Sequence, residues 1–197
     1  EDVEGDPKIT KRSVTLTSAE DEKQYDGTAL TNDEVTVSGD GFVDGEGATY
    51  DVTGSQTEVG SSENEFTYEL NDGTLAENYE IKTVFGTLEV TKNETELKVE
   101  SADGEWKYDG AEHTKYEYTV TYGEESYTVT IAEGEATGVA TLANGDKVTI
   151  TPATDAKVKN FSDSGTDNNK FTWTVDHEAG YTKGEDVYGD LKITKRS

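Results

Sequence analysis

The chain contains no cysteine and no methionine, and only two of its 197 residues are proline. The lack of cysteine excludes disulfide bonds and thiolate metal sites. Cysteine and methionine are also the side chains that oxidise most readily, so their absence suits an exposed protein. No stretch is long and apolar enough to span a bilayer, and none has the pattern of a signal peptide or an anchoring tail.

Basic residues are scarce as well. There are 17 Lys and Arg against 43 Asp and Glu, which gives a formal net charge of −26. Because phosphate groups are bound by clustered cations, this charge excludes nucleic acid and anionic membrane surfaces as partners. A strongly acidic surface keeps a protein soluble and holds neighbouring molecules apart. It also attracts calcium, so the acidic loops are the first candidates for an ion site.

The sequence has no segment with helical periodicity. Its apolar residues instead alternate with polar ones in short runs, and turn-forming residues separate the runs. Two hairpins are predicted, one from residues 116–122 and 127–131 with a break at Glu124-Glu125, the other from residues 139–142 and 147–151 around Asn144-Gly145-Asp146. The pattern predicts a mainly β protein with little helix, and composition alone is compatible with an Ig-like β-sandwich.

One short motif occurs twice, as Tyr25-Asp26-Gly27 and as Tyr108-Asp109-Gly110. Gly adopts positive φ at no steric cost, and an Asp carboxylate can accept a nearby backbone N–H, so the pair predicts a tight structural turn. Each Tyr is expected to place its ring in the core, with its hydroxyl reaching a polar partner or water. A catalytic or carbohydrate-binding Tyr-Asp pair is the alternative.

Other segments repeat in the same order. Phe66-Thr67-Tyr68 matches Phe171-Thr172-Trp173, and residues 85–92 match residues 188–195. The second copy carries about 22 extra residues in its middle. Residues 5–13 nearly repeat residues 189–197, which indicates a piece of a longer tandem array.

These matches predict three segments. Residues 1–13 are the last strand of a preceding repeat or a tail, with a short strand at residues 8–11. Residues 14–92 form the first module, and residues 93–197 form a second, enlarged module. Residues 92–96 are predicted to be a short linker between the modules. Because they contain neither proline nor a Gly-Ser run, this linker is expected to leave the modules little freedom.

The motifs resemble those of YDG/MBG-type repeats of bacterial cell-surface proteins and adhesins. The resemblance rests on Lys-x-Tyr-Asp-Gly-Thr at residues 23–28, Ala-x-Asn-Tyr-x-Ile at residues 76–81, and the Gly-x-Leu-x-Val ending. It covers nearly the whole chain, although Ala179-Gly180-Tyr181 departs from the pattern in module two. The resemblance implies a β-grasp-like fold and an extracellular, cell-surface or cell-wall location.

The resemblance also implies a function, which is that of a non-enzymatic stalk or adhesion repeat projecting a distal domain from the cell. The implied partners are neighbouring repeats of the same chain. The alternative is direct binding of a host glycan or protein, with the exposed aromatic residues of module two as the expected contacts.

The residues themselves offer little chemistry. His113 and His177 have no second His at ligand spacing, and no nucleophile motif is present, so neither a transition-metal site nor an enzyme is predicted. Residues 39–47, with Asp40 and Asp44, and residues 163–169, with Asp163 and Asp167, lack the ligand pattern of an EF-hand. They are predicted to be solvated acidic loops without a metal or cofactor, and calcium binding is the alternative.

Overall fold

Strands dominate residues 8–196, the part of the chain that the computed structural model describes. In chain order they are β1 (Arg12–Ser18), β2 (Asp21–Gln24), β3 (Val35–Gly39), β4 (Ala48–Val52), β5 (Gly60–Glu63), β6 (Phe66–Leu70), β7 (Tyr79–Val84), β8 (Thr87–Thr91), β9 (Asn93–Ser101), β10 (Gly104–Lys107), β11 (Glu117–Tyr122), β12 (Glu125–Thr130), β13 (Gly138–Thr141), β14 (Lys147–Pro152), β15 (Phe171–Val175), β16 (Tyr181–Lys183) and β17 (Leu191–Thr194). The helical residues in this range belong to short 3₁₀ turns at Ala76–Asn78, Phe161–Asp163 and Glu178–Gly180. The prediction of a mainly β protein with little helix is confirmed.

The chain divides into two compact units. Unit 1 comprises residues 1–23 and 29–91, and unit 2 comprises residues 24–28 and 92–197. The division near residue 92 lies next to the module boundary drawn from the sequence. The five residues Gln24–Thr28 belong to unit 2, however, although the sequence repeats place them in the first module.

Unit 1 is built around β1. Its residues alternate, so that Val14 and Leu16 point into the core and are fully buried. The strand pairs antiparallel with β3 and parallel with β7. Two smaller sheets, β2-β8-β5 and β4-β6, complete the unit. Phe66 and Tyr79 pack with Val14 and Leu16 in one buried cluster.

Unit 2 is built around β9 in the same way. Leu97 and Val99 are fully buried, and the strand pairs antiparallel with β11 and parallel with β16. The sheet order is β12-β11-β9-β16, and two further sheets have the orders β13-β14-β15 and β10-β17. Leu191 and Ile193 of β17 are buried against Val158.

Both predicted hairpins are confirmed. β11 and β12 pair antiparallel, with Tyr122 opposite Glu125, and β13 and β14 pair antiparallel, with Thr141 opposite Lys147. The second hairpin turns through Gly145, whose φ is 95°. β12 and β13 are the edge strands of their sheets, and they lie in the stretch by which module two is longer than module one.

A buried hydrogen-bond network joins four segments of unit 1. The Ser18 hydroxyl donates to the Asn64 carbonyl at 2.5 Å and accepts the Gly86 N–H at 3.0 Å. The Asn64 side chain donates to the carbonyls of Ala19 and Asn32, at 3.0 and 2.9 Å. Because Ser18 and Asn64 are almost fully buried, these bonds satisfy groups that water does not reach.

Unit 2 contains the same network with Ser101, Asn169 and Gly189. The Ser101 hydroxyl donates to the Asn169 carbonyl at 2.6 Å and accepts the Gly189 N–H at 3.0 Å. The Asn169 side chain donates to the carbonyls of Ala102 and Lys115, both at 2.8 Å. We call both arrangements Ser-Asn-Gly networks.

Two local predictions are wrong. Residues 8–11 do not form a strand. They are exposed, and regular pairing begins at Arg12, which lies opposite Tyr79. The predicted linker at residues 92–96 is mostly the start of β9, because Asn93 and Glu96 pair with β16. Residues 21–24 and 60–63 form β2 and β5, although apolar and polar residues do not alternate in them. Both join β8, whose Leu88 and Val90 are buried. The rest of the predicted preceding strand, at residues 1–7, lies outside the described range.

Candidate functional site

The two Tyr-Asp-Gly segments form the same tight turn. Gly27 has a φ of 81° and Gly110 a φ of 85°, the conformation on which the predicted turn depends. Asp26 and Asp109 each accept the backbone N–H two residues later, in both cases at 2.8 Å. This bond is the largest of the interactions that lower the pKa of Asp109, and a hydrogen bond from His113 adds to it.

The two tyrosines differ. Tyr25 is 2% exposed and Tyr108 is 42% exposed, so the prediction of a core position is wrong for Tyr108. The exposure of the two tyrosines differs because their aromatic neighbours differ. The Tyr25 ring packs edge-on against Tyr181 with 5.6 Å between ring centroids, and it lies 6.0 Å from the His177 ring. In the described residues no aromatic ring contacts Tyr108.

Asp146 organises the site that holds Tyr25. Its Oδ2 atom accepts the hydroxyls of Tyr25 at 2.9 Å and Tyr181 at 2.6 Å, while its Oδ1 atom lies 3.0 Å from His177 Nδ1. Asn144 donates to the same carboxylate at 3.2 Å. We call these five residues the Asp146 cluster. All belong to unit 2, and Asp146 itself is only 6% exposed.

Local backbone geometry sets the positions of the cluster. Asp146 follows the Asn144-Gly145 turn of the β13–β14 hairpin, and its N–H donates to Asn144 Oδ1 at 3.1 Å. His177 has a φ of 50°, a left-handed conformation that is unusual for a residue other than glycine. Gly180 leaves room for the Tyr25 ring, because a Cβ atom there would lie 2.3 Å from Tyr25 Cδ1.

The electrostatics of the cluster favour a fixed carboxylate. Burial raises the pKa of Asp146, but hydrogen bonds from Tyr181, His177 and Tyr25 outweigh it and keep the pKa below its ordinary value. Burial, followed by the hydrogen bond to Asp146, raises the pKa of Tyr181 well above normal. A carboxylate held by four donors beside a tyrosine that resists deprotonation suits a structural anchor better than proton transfer.

Sequence reasoning found only part of this cluster. It identified Tyr25 and the turn at Asn144-Gly145-Asp146, but not that the Tyr25 hydroxyl reaches an aspartate 121 residues away. It treated His177 as a residue without a ligand role and gave no role to Tyr181. His113, the other histidine, lies 3.0 Å from Asp109 and stacks on Trp106 with 5.0 Å between ring centroids.

The acidic loops use their carboxylates to hold the backbone. Asp40 accepts the Ser13 N–H at 3.0 Å. Asp163 accepts the N–H groups of Lys159 and Asn160 at 3.0 and 2.7 Å, and these bonds lower its pKa. Across residues 8–196, no group of three or more His, Asp and Glu side chains is placed to hold a metal ion.

Salt and calcium are expected to affect the stability of the chain differently. Raising NaCl from low to physiological concentration should raise the melting temperature, because salt screens the self-repulsion of a chain with a net charge of −26. Calcium at matched ionic strength should add little. A saturable rise of several degrees with calcium but not magnesium would contradict this expectation. The site would then be located with two double variants, one carrying Asp40→Asn and Asp44→Asn and the other carrying Asp163→Asn and Asp167→Asn.

Both turn glycines are expected to stabilise unit 2. Gly27→Ala and Gly110→Ala should each destabilise unit 2 by about 1 kcal/mol or more, because both positions need positive φ. Gly27→Ala should have the larger effect, since its Cβ would lie 3.2 Å from Asn144, whereas nothing lies within 4 Å at Gly110. Urea denaturation read by hydrogen exchange of β11 measures both losses. An unchanged stability in Gly110→Ala would contradict the turn assignment.

Unit 2 also carries an open groove of about 680 Å³. Asn168, Lys170 and the side chains of Val187 and Tyr188 line it. Val187 is 49% exposed, and Asp186 beside it accepts the Trp173 indole N–H at 2.7 Å. Apart from Val187 and Tyr188, its lining is polar or charged and includes three aspartates.

Within residues 8–196, no helix has the length and apolar character needed to cross a membrane. Comparisons of the chain with protein-family models, curated proteins and solved structures found no match. The resemblance to YDG/MBG-type repeats therefore remains a prediction from the motifs.

Proposed function

We propose that this chain is a pair of non-enzymatic structural repeats from a bacterial surface protein of the YDG/MBG type, which extend a distal domain from the cell. The observation that carries the proposal is the Ser-Asn-Gly network, which occurs with the same donors and acceptors in units 1 and 2. Two units that bury the same polar contacts are expected of modules whose fold, rather than a reactive site, is repeated.

The charge supports an extracellular stalk. A net charge of −26 on 197 residues keeps neighbouring molecules apart and a long array soluble. The lack of cysteine and methionine removes the side chains that an oxidising exterior damages most easily. These features suit a position at the cell surface or in the cell wall.

The hydrogen bonding of the Asp146 cluster supports a role without catalysis. Its carboxylate is occupied by the hydroxyls of Tyr25 and Tyr181, by His177 and by Asn144. An acid or base catalyst needs a proton-exchanging atom within reach of a substrate. Asp146 is only 6% exposed and both of its carboxylate oxygens contact other residues of the chain, so we assign it a structural role.

A second candidate function is direct binding of a host glycan or protein. The groove near Tyr188 is the observation that favours it, because an exposed Val187 and several polar groups converge there. A glycan array and a screen of host surface proteins test this function. Saturable binding that Tyr188→Ala removes, without loss of stability, would replace the stalk proposal with an adhesin proposal.

The stalk proposal is tested by displaying one, two or three copies of the chain between a wall anchor and an epitope on a bacterial surface. Antibody access to the epitope should increase with copy number. The matched control carries Asn64→Ala and Asn169→Ala in every copy, which removes the central amide of both networks at equal chain length. Access that is independent of copy number, or equal in the control, would contradict a folded stalk.

A further inference from the structure

We propose that the Tyr108-Asp109-Gly110 loop is a docking surface for a following repeat, which receives Tyr108 in an aspartate-lined site like the one that holds Tyr25 in unit 2. This inference rests on the proposed function, since it requires another module after residue 194. The occupant of this surface is a repeat of the unit 2 type.

The loop lies where a following module would begin. Tyr108 N–H donates to the Thr194 carbonyl at 2.9 Å, and the Thr194 hydroxyl donates to the Trp106 carbonyl at 3.2 Å. The exposed loop is therefore hydrogen-bonded to the end of β17, the strand from which the chain continues. Any module attached there starts next to Tyr108.

The first Tyr-Asp-Gly segment has the same relation to the end of β8. The Thr91 hydroxyl donates to the carbonyl of Lys23, the residue equivalent to Trp106, at 3.4 Å. In unit 2, Asn93 at the start of β9 donates to the Tyr25 carbonyl at 3.0 Å. The first residues of β9 and the Tyr25 loop thus belong to one hydrogen-bonded unit, which is the arrangement we infer for Tyr108.

The Tyr108 loop already has the conformation of the loop that is held. The φ values of Gly110 and Gly27 differ by only a few degrees, and both aspartates close the turn with a bond of the same length. His113, which lies 3.0 Å from Asp109, fixes the loop further. In the described part of the chain the Tyr108 hydroxyl has no hydrogen-bond partner, and the side chain is 42% exposed. Such a preformed loop loses little conformational freedom on docking.

The receiving site has a defined chemistry. It needs a buried carboxylate that accepts the tyrosine hydroxyl, a second aromatic ring against the first, and a glycine where a Cβ would strike the ring. Asp146, Tyr181 and Gly180 supply these in unit 2. A following repeat of the unit 2 type carries all three, whereas Tyr25 already fills the site in this chain.

The test is a three-module protein, in which residues 1–195 are followed directly by a second copy of residues 93–197. Hydroxyl-radical footprinting with mass spectrometry measures the solvent access of each tyrosine. In the original chain Tyr108 should be labelled readily and Tyr25 weakly. In the three-module protein the labelling of Tyr108 in the first copy should fall several-fold, towards that of Tyr25, while Tyr108 of the added copy stays reactive.

Two substitutions of Tyr108 distinguish a loss of docking from a loss of folding. Tyr108→Ala in the first copy should lower the melting temperature of the added copy and leave the original two-module chain nearly unchanged. Tyr108→Phe should have a smaller effect, because it keeps the ring and loses only the hydroxyl. Hydrogen exchange in β11 of the added copy reports whether that copy is folded.

Equal labelling of Tyr108 in the two proteins, with the added copy folded, would overturn the inference. An added copy that unfolds even with Tyr108 intact would overturn it too, because docking is expected to support that copy. If epitope access still increases with copy number while Tyr108 stays reactive, only the docking contact fails and the stalk function stands. If epitope access does not increase, the stalk function fails independently of this contact.

Discussion

Gly189→Ala should destabilise unit 2 by about 3 kcal/mol or more, and Gly86→Ala should do the same in unit 1. A Cβ atom at Gly189 would lie 2.4 Å from the Ala102 carbonyl oxygen, and one at Gly86 would lie 2.3 Å from the Ala19 carbonyl oxygen. Backbone atoms cannot rotate away as a side chain does. The two chain segments must therefore move apart, which breaks the bonds from the glycine N–H to Ser101 or Ser18.

The measurement is urea denaturation followed by hydrogen exchange, which reports on each unit separately. Amides of β9 should lose protection in Gly189→Ala, and amides of β1 in Gly86→Ala. Gly165→Ala and Gly47→Ala are matched controls, since the nearest atom to each added Cβ would be the end of an asparagine side chain at 3.2 Å, which can move aside, unlike the backbone oxygens at Gly86 and Gly189. Effects equal to the controls would show that the networks tolerate an added methyl group and are not rigid.

Period-two alternation explains how much of the fold could be predicted. Residues 66–70 and 171–175 alternate apolar and polar side chains because one face of each strand is buried, and both are strands in the structure. The turn at Asn144-Gly145-Asp146 was equally clear, because its residues are those that hairpin turns require. Each of these signals lies within a few adjacent residues.

Features that depend on contacts between distant segments could not be predicted from the sequence. β2, with the sequence Asp-Glu-Lys-Gln, has no apolar alternation, and it is a strand because β8 lies beside it. The two Tyr-Asp-Gly copies look equivalent in sequence, yet Tyr25 is buried and Tyr108 is exposed, since only Tyr25 is enclosed by Tyr181 and His177.

The role of Asp146 was hidden for a different reason. It is one of 43 acidic residues, and nothing in its neighbourhood distinguishes it except the turn in which it takes part. Its function depends on burial and on donors that come from residues 25, 144, 177 and 181. A carboxylate that looks like part of a solvated surface is therefore the centre of a buried hydrogen-bonded cluster in unit 2.

Asp146→Asn should destabilise unit 2 by about 3 kcal/mol at neutral pH, because the amide removes the charge that the surrounding donors share and places an N–H₂ group among them. The loss should depend on pH. The folded protein lowers the pKa of Asp146 below its ordinary 3.8, so its contribution is fully present above about pH 4. As the pH falls through the folded pKa, Asp146 becomes protonated in the native state and the advantage of wild type over Asp146→Asn should disappear.

Parallel urea denaturation of the two proteins at several pH values, read by hydrogen exchange in β14, measures this difference directly. Subtracting one protein from the other removes the contribution of the remaining acidic residues, which both share. Asp155→Asn serves as the control, since Asp155 is exposed and lies in the same unit. A stability difference between wild type and Asp146→Asn that stayed constant from neutral pH to about pH 2 would show that the charge of Asp146 does not stabilise the cluster. The hydrogen bonds of Tyr25 and Tyr181 would then act as neutral contacts only.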